Sequence, residues 1–186
     1  MIGKVYSAAV TGIYAVPVEV QADVAPGIPY FELTGNLAGT TKEAKERVRI
    51  ALKNSKFQIN PSKITINMIP ANIRKEGTSY DLAVAVAVLT AVGVIAAKKV
   101  SGALFIGELG LDGGICNVSS ILPMTLCARD NGFTICYVPM GNVGEASLVT
   151  GIRVIGISSL RECVDYINNG CNCRAHVDNN IDNTDD

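Results

Sequence analysis

The stretch KEGTSYDLAVAVAVL, residues 75–89, sets a Gly-Thr-Ser corner directly in front of an apolar run. That run continues as LAVAVAVLTAVGVIAA over residues 82–97. It is shorter than the roughly 20 apolar residues a bilayer requires, and its start is capped. It therefore predicts a buried helix over 79–95, with Val84, Val88 and Leu89 turned to the core. The corner also poses a chemical question. A serine at a strand-to-helix turn can act as a nucleophile, or it can simply begin the helix.

Around this helix the chain alternates strand and helix signals. KVYSAAV (4–10), VPVEVQADV (16–24) and YFELTG (30–35) alternate apolar and polar residues, with turns at Gly12 and APGIP. A helix is expected at about 40–56, with Ala44, Val48, Ala51 and Leu52 as its apolar stripe. KITINMIP (63–70) reads as a strand, and 103–118 as a hairpin turning at LDGG. LPMTLCARDNG (122–132) is a helix closed by Asn-Gly, followed by the strand TICYVP and the short helix NVGEASLV. The strand RVIGIS and the helix SLRECVDYINNG complete the series. Strands alternating with helices, with no long linker, predict one α/β (α+β) domain over residues 1–168. Residues 169–186 read as an acidic polar tail or linker.

Composition narrows the class. The chain is 48% hydrophobic and 18% charged, with 5% aromatics and no Trp, which suits a sheet covered by Ala/Val/Leu helices. Its formal net charge of −1 is uneven: four acids and one base lie from residue 171 onward, leaving a mildly basic body. The N-terminus lacks a sustained apolar region of the export type, and the six cysteines show no CxxC spacing. Reduced thiols, a cytoplasmic location and no membrane partner are the expectation.

A serine becomes nucleophilic only beside a base. The one histidine, His176, lies in the polar tail, and no lysine follows Lys99. Lys75, Lys98 and Lys99 have no evident reason to sit buried beside Ser79. The residues favour capping: Thr78 as N-cap and Asp81 three residues on resemble a capping box, with a carboxylate on the helix dipole. No cofactor site is read. GNLAGTTK (35–42) lacks the Gly-Lys pair of a phosphate loop, and GELGLDGG (107–114) falls in the hairpin. Cys171, Cys173 and His176 offer two thiols and an imidazole, short of a closed metal shell, so no metal is expected. Lys42, Lys45, Arg49, Lys53 and Lys56 fall along one face of the first helix and could track phosphates. The competing reading is a solvated face, supported by Glu43–Arg47 and Glu46–Arg49 pairs.

Four blocks then align with a known family: GIPYFELTGNLAGTTKEAKERVRIALKNSKF, KITINMIPANIRKEGTSYDLAVAVAVL, GELGLDGGICNVSSILPMTLCARDNGF and VPMGNVGEASLVTGIRVIGISSLRECV. In this order they resemble the N-terminal domain of the Mg-chelatase-like AAA+ ATPases, the competence protein M (ComM, YifB) family. That domain is similar to the proteolytic domain of Lon, with the fold of ribosomal protein S-five domain two: a mixed sheet with helices packed on it. RadA carries a similar domain. The resemblance places KEGTSYD on Lon's Lys-Asp-Gly-Pro-Ser-Ala-Gly segment and Ser79 on its nucleophile. Asp81 replaces the Gly after Ser-Ala, and the catalytic lysine position becomes Leu122, which cannot accept a proton.

The resemblance implies a non-catalytic domain serving ring assembly and contact with DNA or partners. Family members look like hexameric helicase-type ATPases, implicated in branch migration during natural transformation. ATP and Mg are implied only for an AAA+ motor that follows this domain. Nothing in these blocks suggests magnesium insertion into a porphyrin. The rival expectations are a Lon-type serine peptidase with an unusual base, and a stand-alone binding module.

Overall fold

The chain opens with an antiparallel hairpin, β1 (Gly3–Thr11) and β2 (Tyr14–Pro26), in which Val5 faces Val20 and Ser7 faces Val18. Strand β3 (Tyr30–Thr34) leads through α1 (Gly39–Lys42) and α2 (Ala44–Asn54) to β4 (Ser62–Ile69). Next come α3 (Asp81–Ala91), α4 (Ala97–Val100) and β5 (Ala103–Phe105). A two-stranded hairpin, β6 (Glu108–Leu109) and β7 (Ile115–Cys116), stands apart from the main sheet. Then follow α5 (Ile121–Asp130), β8 (Ile135–Pro139), α6 (Val143–Ala146), β9 (Arg153–Ile157), α7 (Leu160–Asn169) and β10 (His176–Asp178). This computed structural model describes residues 1–170 and the backbone of 176–178.

The eight-stranded sheet has the order β10-β9-β8-β5-β1-β2-β4-β3. From β1 to β9 the neighbours β5, β8 and β9 run parallel, as do β3 and β4. The other pairings are antiparallel. The expected α/β (α+β) class, a mixed sheet flanked by helices, is what the chain adopts. Period-two alternation sorts each strand between two cores. Phe105, Tyr137 and Ile155 face the layer of α2, α3 and α7, while Leu104, Cys136 and Val154 face α5 and α6.

Helix α3 decides the layering. Every residue from Leu82 to Leu89 is fully buried, so it has no polar face at all. Such a helix needs apolar cover on all sides; it lies across β1 and β2 and beneath α2. The approach is so close that a Cβ at Gly3 would collide with the Ala87 carbonyl oxygen.

Four expectations are corrected. The helix over 40–56 is divided by a turn at Glu43, and Lys56, at φ +63°, lies in the left-handed turn beyond Asn54. The hairpin over 103–118 is confined to β6 and β7. Ala103–Phe105 is buried and belongs to the main sheet between β1 and β8. The helix over 79–95 runs from Asp81 to Ala91 and is closed at Gly93, φ +81°. The capping box does not form. The Thr78 hydroxyl donates to the Glu108 carboxylate, and Asp81 pairs with Arg47. A fully buried carboxylate gains more from a cation than from the helix end. Part of the polar tail adds β10 to the sheet edge beside β9. Cys171 and Cys173 lie outside the described residues. No helix among the described residues is long and apolar enough to cross a membrane.

Candidate functional site

Ser79 lines a cavity of about 400 Å³. The loop before α3 supplies Glu76, Gly77 and Thr78, β6 supplies Glu108, and the loop before α5 supplies Asn117, Ser119 and Ser120. Backbone bonds hold this corner rigid: Gly107 N–H donates to the Ser79 carbonyl at 3.0 Å, and Leu82 N–H donates to the Gly107 carbonyl at 3.0 Å. The opposite wall is fixed by Asn142, whose side chain accepts from Val118 N–H at 2.9 Å and donates to its carbonyl at 3.0 Å.

The charged side chains lining this cavity are Glu76 and Glu108, beside the phenol of Tyr80 and with neither lysine nor histidine. The Glu108 carboxylate already accepts the Thr78 hydroxyl. Leu122, which the sequence resemblance aligns with the Lon lysine, lies in the first turn of α5 and packs against the apolar cluster beneath it. The Ser79 hydroxyl makes no hydrogen bond among the described residues. Ser79→Ala should therefore change stability by less than ~1 kcal/mol, the value of a lost cap, in a urea melt. A larger loss would mean that the hydroxyl has a structural partner.

Lys75, four residues upstream, is completely buried, which its charged neighbours Arg74 and Glu76 gave no reason to expect. Its ammonium donates to the carbonyls of Gly35 at 2.6 Å, Met68 at 3.2 Å and Pro70. All three of its protons are thereby engaged, and it is not a free base for Ser79. Burial pulls its pKa below the ordinary lysine value.

Its backbone is stitched to the 35–42 segment: Lys75 N–H donates to Asn36 at 3.0 Å, and Ala38 N–H to the Lys75 carbonyl at 2.9 Å. The Thr41 hydroxyl is within 3.0 Å of the carbonyls of Lys75 and Gly77. The glycine-containing 35–42 segment thus spends these donors within the protein, and it does not fit the phosphates of a nucleotide. Among the described residues no three His, Cys, Asp or Glu side chains come together as a metal shell.

Asp81 is the second group that local spacing misassigned. Arg47 grips it bidentately, at 2.6 and 3.0 Å, and Leu109 N–H adds a bond at 3.1 Å. Burial raises the Asp81 carboxyl pKa, while Arg47 and the Leu109 amide pull it back. The expected Glu43–Arg47 contact exists at 3.8 Å but lies at the surface end of the same guanidinium. This pair ties α2, α3 and β6 together behind Ser79.

The cations of the first helix meet elsewhere. Lys45, Arg49, Lys53 and Lys56 line a groove of about 950 Å³ between α2 and the β3–β4 edge. Lys42, on the separate helix α1, is not among its lining residues. The floor is apolar, with Phe31, Leu52, Phe57, Ile59 and Ile64. Arg49 bonds Glu46 at 2.8 Å, the second expected surface pair. The helical period signalled the cations; the groove required knowing where β3 and β4 lie.

Residues 20–142 match the family described as subunit ChlI of Mg-chelatase. An uncharacterised protein of Mycobacterium tuberculosis is 35% identical over 166 residues, covering 89% of this chain and 33% of that protein. Competence protein ComM of Haemophilus influenzae is 34% identical over 164 residues, 88% of this chain and 32% of its own length. The DNA repair protein RadA of Listeria monocytogenes is 27% identical over 173 residues, 87% of this chain and 35% of its own. The chain spans about a third of the length of these curated relatives.

Proposed function

This chain belongs to the family of the ChlI subunit of Mg-chelatase, and on that premise we propose that it acts as the non-catalytic, Lon-like N-terminal region of a DNA-processing AAA+ ATPase. Its work is ring assembly and contact with DNA, in the cytoplasm, while ATP and Mg are handled by a motor domain outside it. The observation that carries the non-catalytic reading is the cavity at Ser79, whose lining contains no lysine or histidine. Leu122, which the resemblance aligns with the Lon lysine, packs against an apolar cluster and supports this reading. A serine hydroxyl without an adjacent base stays protonated and unreactive at neutral pH.

The DNA part of the proposal is supported by the four cations gathered on one groove. The names of two relatives, a competence protein and a DNA repair protein, point the same way.

The test for catalysis is a fluorophosphonate titration of the chain against Ser79→Ala. No difference in covalent labelling between the two is expected. Stoichiometric, Ser79-dependent labelling would replace this reading with a peptidase that recruits an unusual base.

A further inference from the structure

We propose that the groove between α2 and β3 holds a single strand of nucleic acid, phosphates on the α2 cations and bases against the apolar floor. The proposal rests on the DNA reading above and specifies the form of the ligand. Lys45, Arg49 and Lys53 follow one another at four-residue steps on α2. A rise of 1.5 Å per residue spaces them about 6 Å apart, near the reach of one nucleotide of extended backbone. Lys56 continues the row past the helix end. Lys45, Lys53 and Lys56 are exposed, and the ion pair on this wall is Arg49 with Glu46.

The floor separates a single strand from a duplex. A duplex keeps its base faces stacked inside and turns phosphates outward, so an apolar floor adds nothing to its binding. A single strand offers base faces that stack on aromatic and apolar side chains. Phe31 is half-buried on the α2 side of the sheet, opposite Ile64 of β4. Phe57 is buried and already covered by the Arg161 guanidinium, 4.3 Å from its ring centre, so Phe31 is the ring open to a base.

An extended peptide would instead use the outer edge of β3, unpaired among the described residues, where its backbone could pair. That edge lies in the plane of the sheet, whereas the cations stand on a helix above the sheet face. Glu32 and Glu46 also line the groove against the four cations, leaving an excess of two positive charges. Binding is therefore weak and steeply salt-dependent.

The experiment is fluorescence anisotropy of a labelled oligothymidylate with this chain at low salt, beside a duplex of equal length and polyglutamate as competitor. Lys45, Lys53 and Lys56 are changed together to Glu, with circular dichroism to confirm folding. The single strand is expected to bind more tightly than the duplex, and the triple variant to lose roughly tenfold or more. Losing three phosphate contacts should flatten the salt slope by about 2.

Irradiation of an oligomer carrying 5-iododeoxyuridine should give an adduct on the peptide containing Phe31. This readout on the unaltered chain needs no variant to fold. Equal binding of duplex and single strand, or an adduct that maps elsewhere, overturns the proposal while leaving phosphate contact intact. Displacement by polyglutamate as effective as by unlabelled oligomer would assign the groove to acidic peptides. Binding of neither nucleic acid removes both this inference and the DNA reading.

Discussion

Arg47→Ala is expected to lower the unfolding free energy by about 3–5 kcal/mol, because it leaves a buried carboxylate without its cation. Asp81 is 0% exposed, and two of its three hydrogen bonds come from the guanidinium. Against a typical total of about 5–15 kcal/mol, that is a large share of the stability. The loss carries a pH signature. Burial already raises the Asp81 carboxyl pKa, and Arg47 is the principal group opposing the rise. Without Arg47 the folded pKa climbs further above its unfolded value. The folded variant then binds more protons than the unfolded chain between those two values, so its stability falls as pH rises through that interval.

Urea melts followed by circular dichroism, at a series of pH values, measure both effects. Adding Asp81→Asn should recover much of the loss, since the buried charge is gone and an acceptor for Leu109 N–H remains. Arg49→Ala is the control: its pair with Glu46 is solvent-exposed and worth less than ~1 kcal/mol. Equal losses for Arg47→Ala and Arg49→Ala would show that the buried pair contributes nothing special.

Local periodicity made most elements legible. The alternation in 16–24 survives as β2, and the apolar run after Ser79 survives as α3. It failed where short segments serve two masters. Ala103–Phe105 is only three residues long, too short for an alternation to tell a sheet strand from the arm of a hairpin. Asp81 sits at capping-box spacing from Thr78, yet its partner is Arg47, 34 positions away, and no local pattern encodes that distance. The cation stripe was visible from its three- and four-residue steps. That four of its members wall a groove with an apolar floor follows from β3 and β4 packing beside α2. That no lysine follows Lys99 was legible in the sequence. The burial of Lys75 was not, because Arg74 and Glu76 on either side are exposed and paired with each other at 3.1 Å.

Lys75→Met is the second large effect, an expected loss of about 3 kcal/mol or more, from leaving up to three buried carbonyls without a donor at ~1–3 kcal/mol each. Methionine keeps the length and the apolar stem, so the comparison isolates the ammonium protons from the packing. Those protons join the residue after β3, the strand β4 and the loop that follows it through Gly35, Met68 and Pro70. A Cβ at Gly35 would run into the Met68 carbonyl, so the two segments already meet as closely as backbone allows. Lys75→Arg should not rescue, because a planar fork cannot place three donors where a tetrahedral ammonium does, and the larger head has no room. The loop released is the one that carries Ser79 into α3, so amide exchange over residues 70–79 should accelerate in Lys75→Met before global unfolding begins. A variant that melts like the parent, with unchanged exchange over 70–79, would mean that the carbonyls find other donors and that Lys75 is not what fixes this corner.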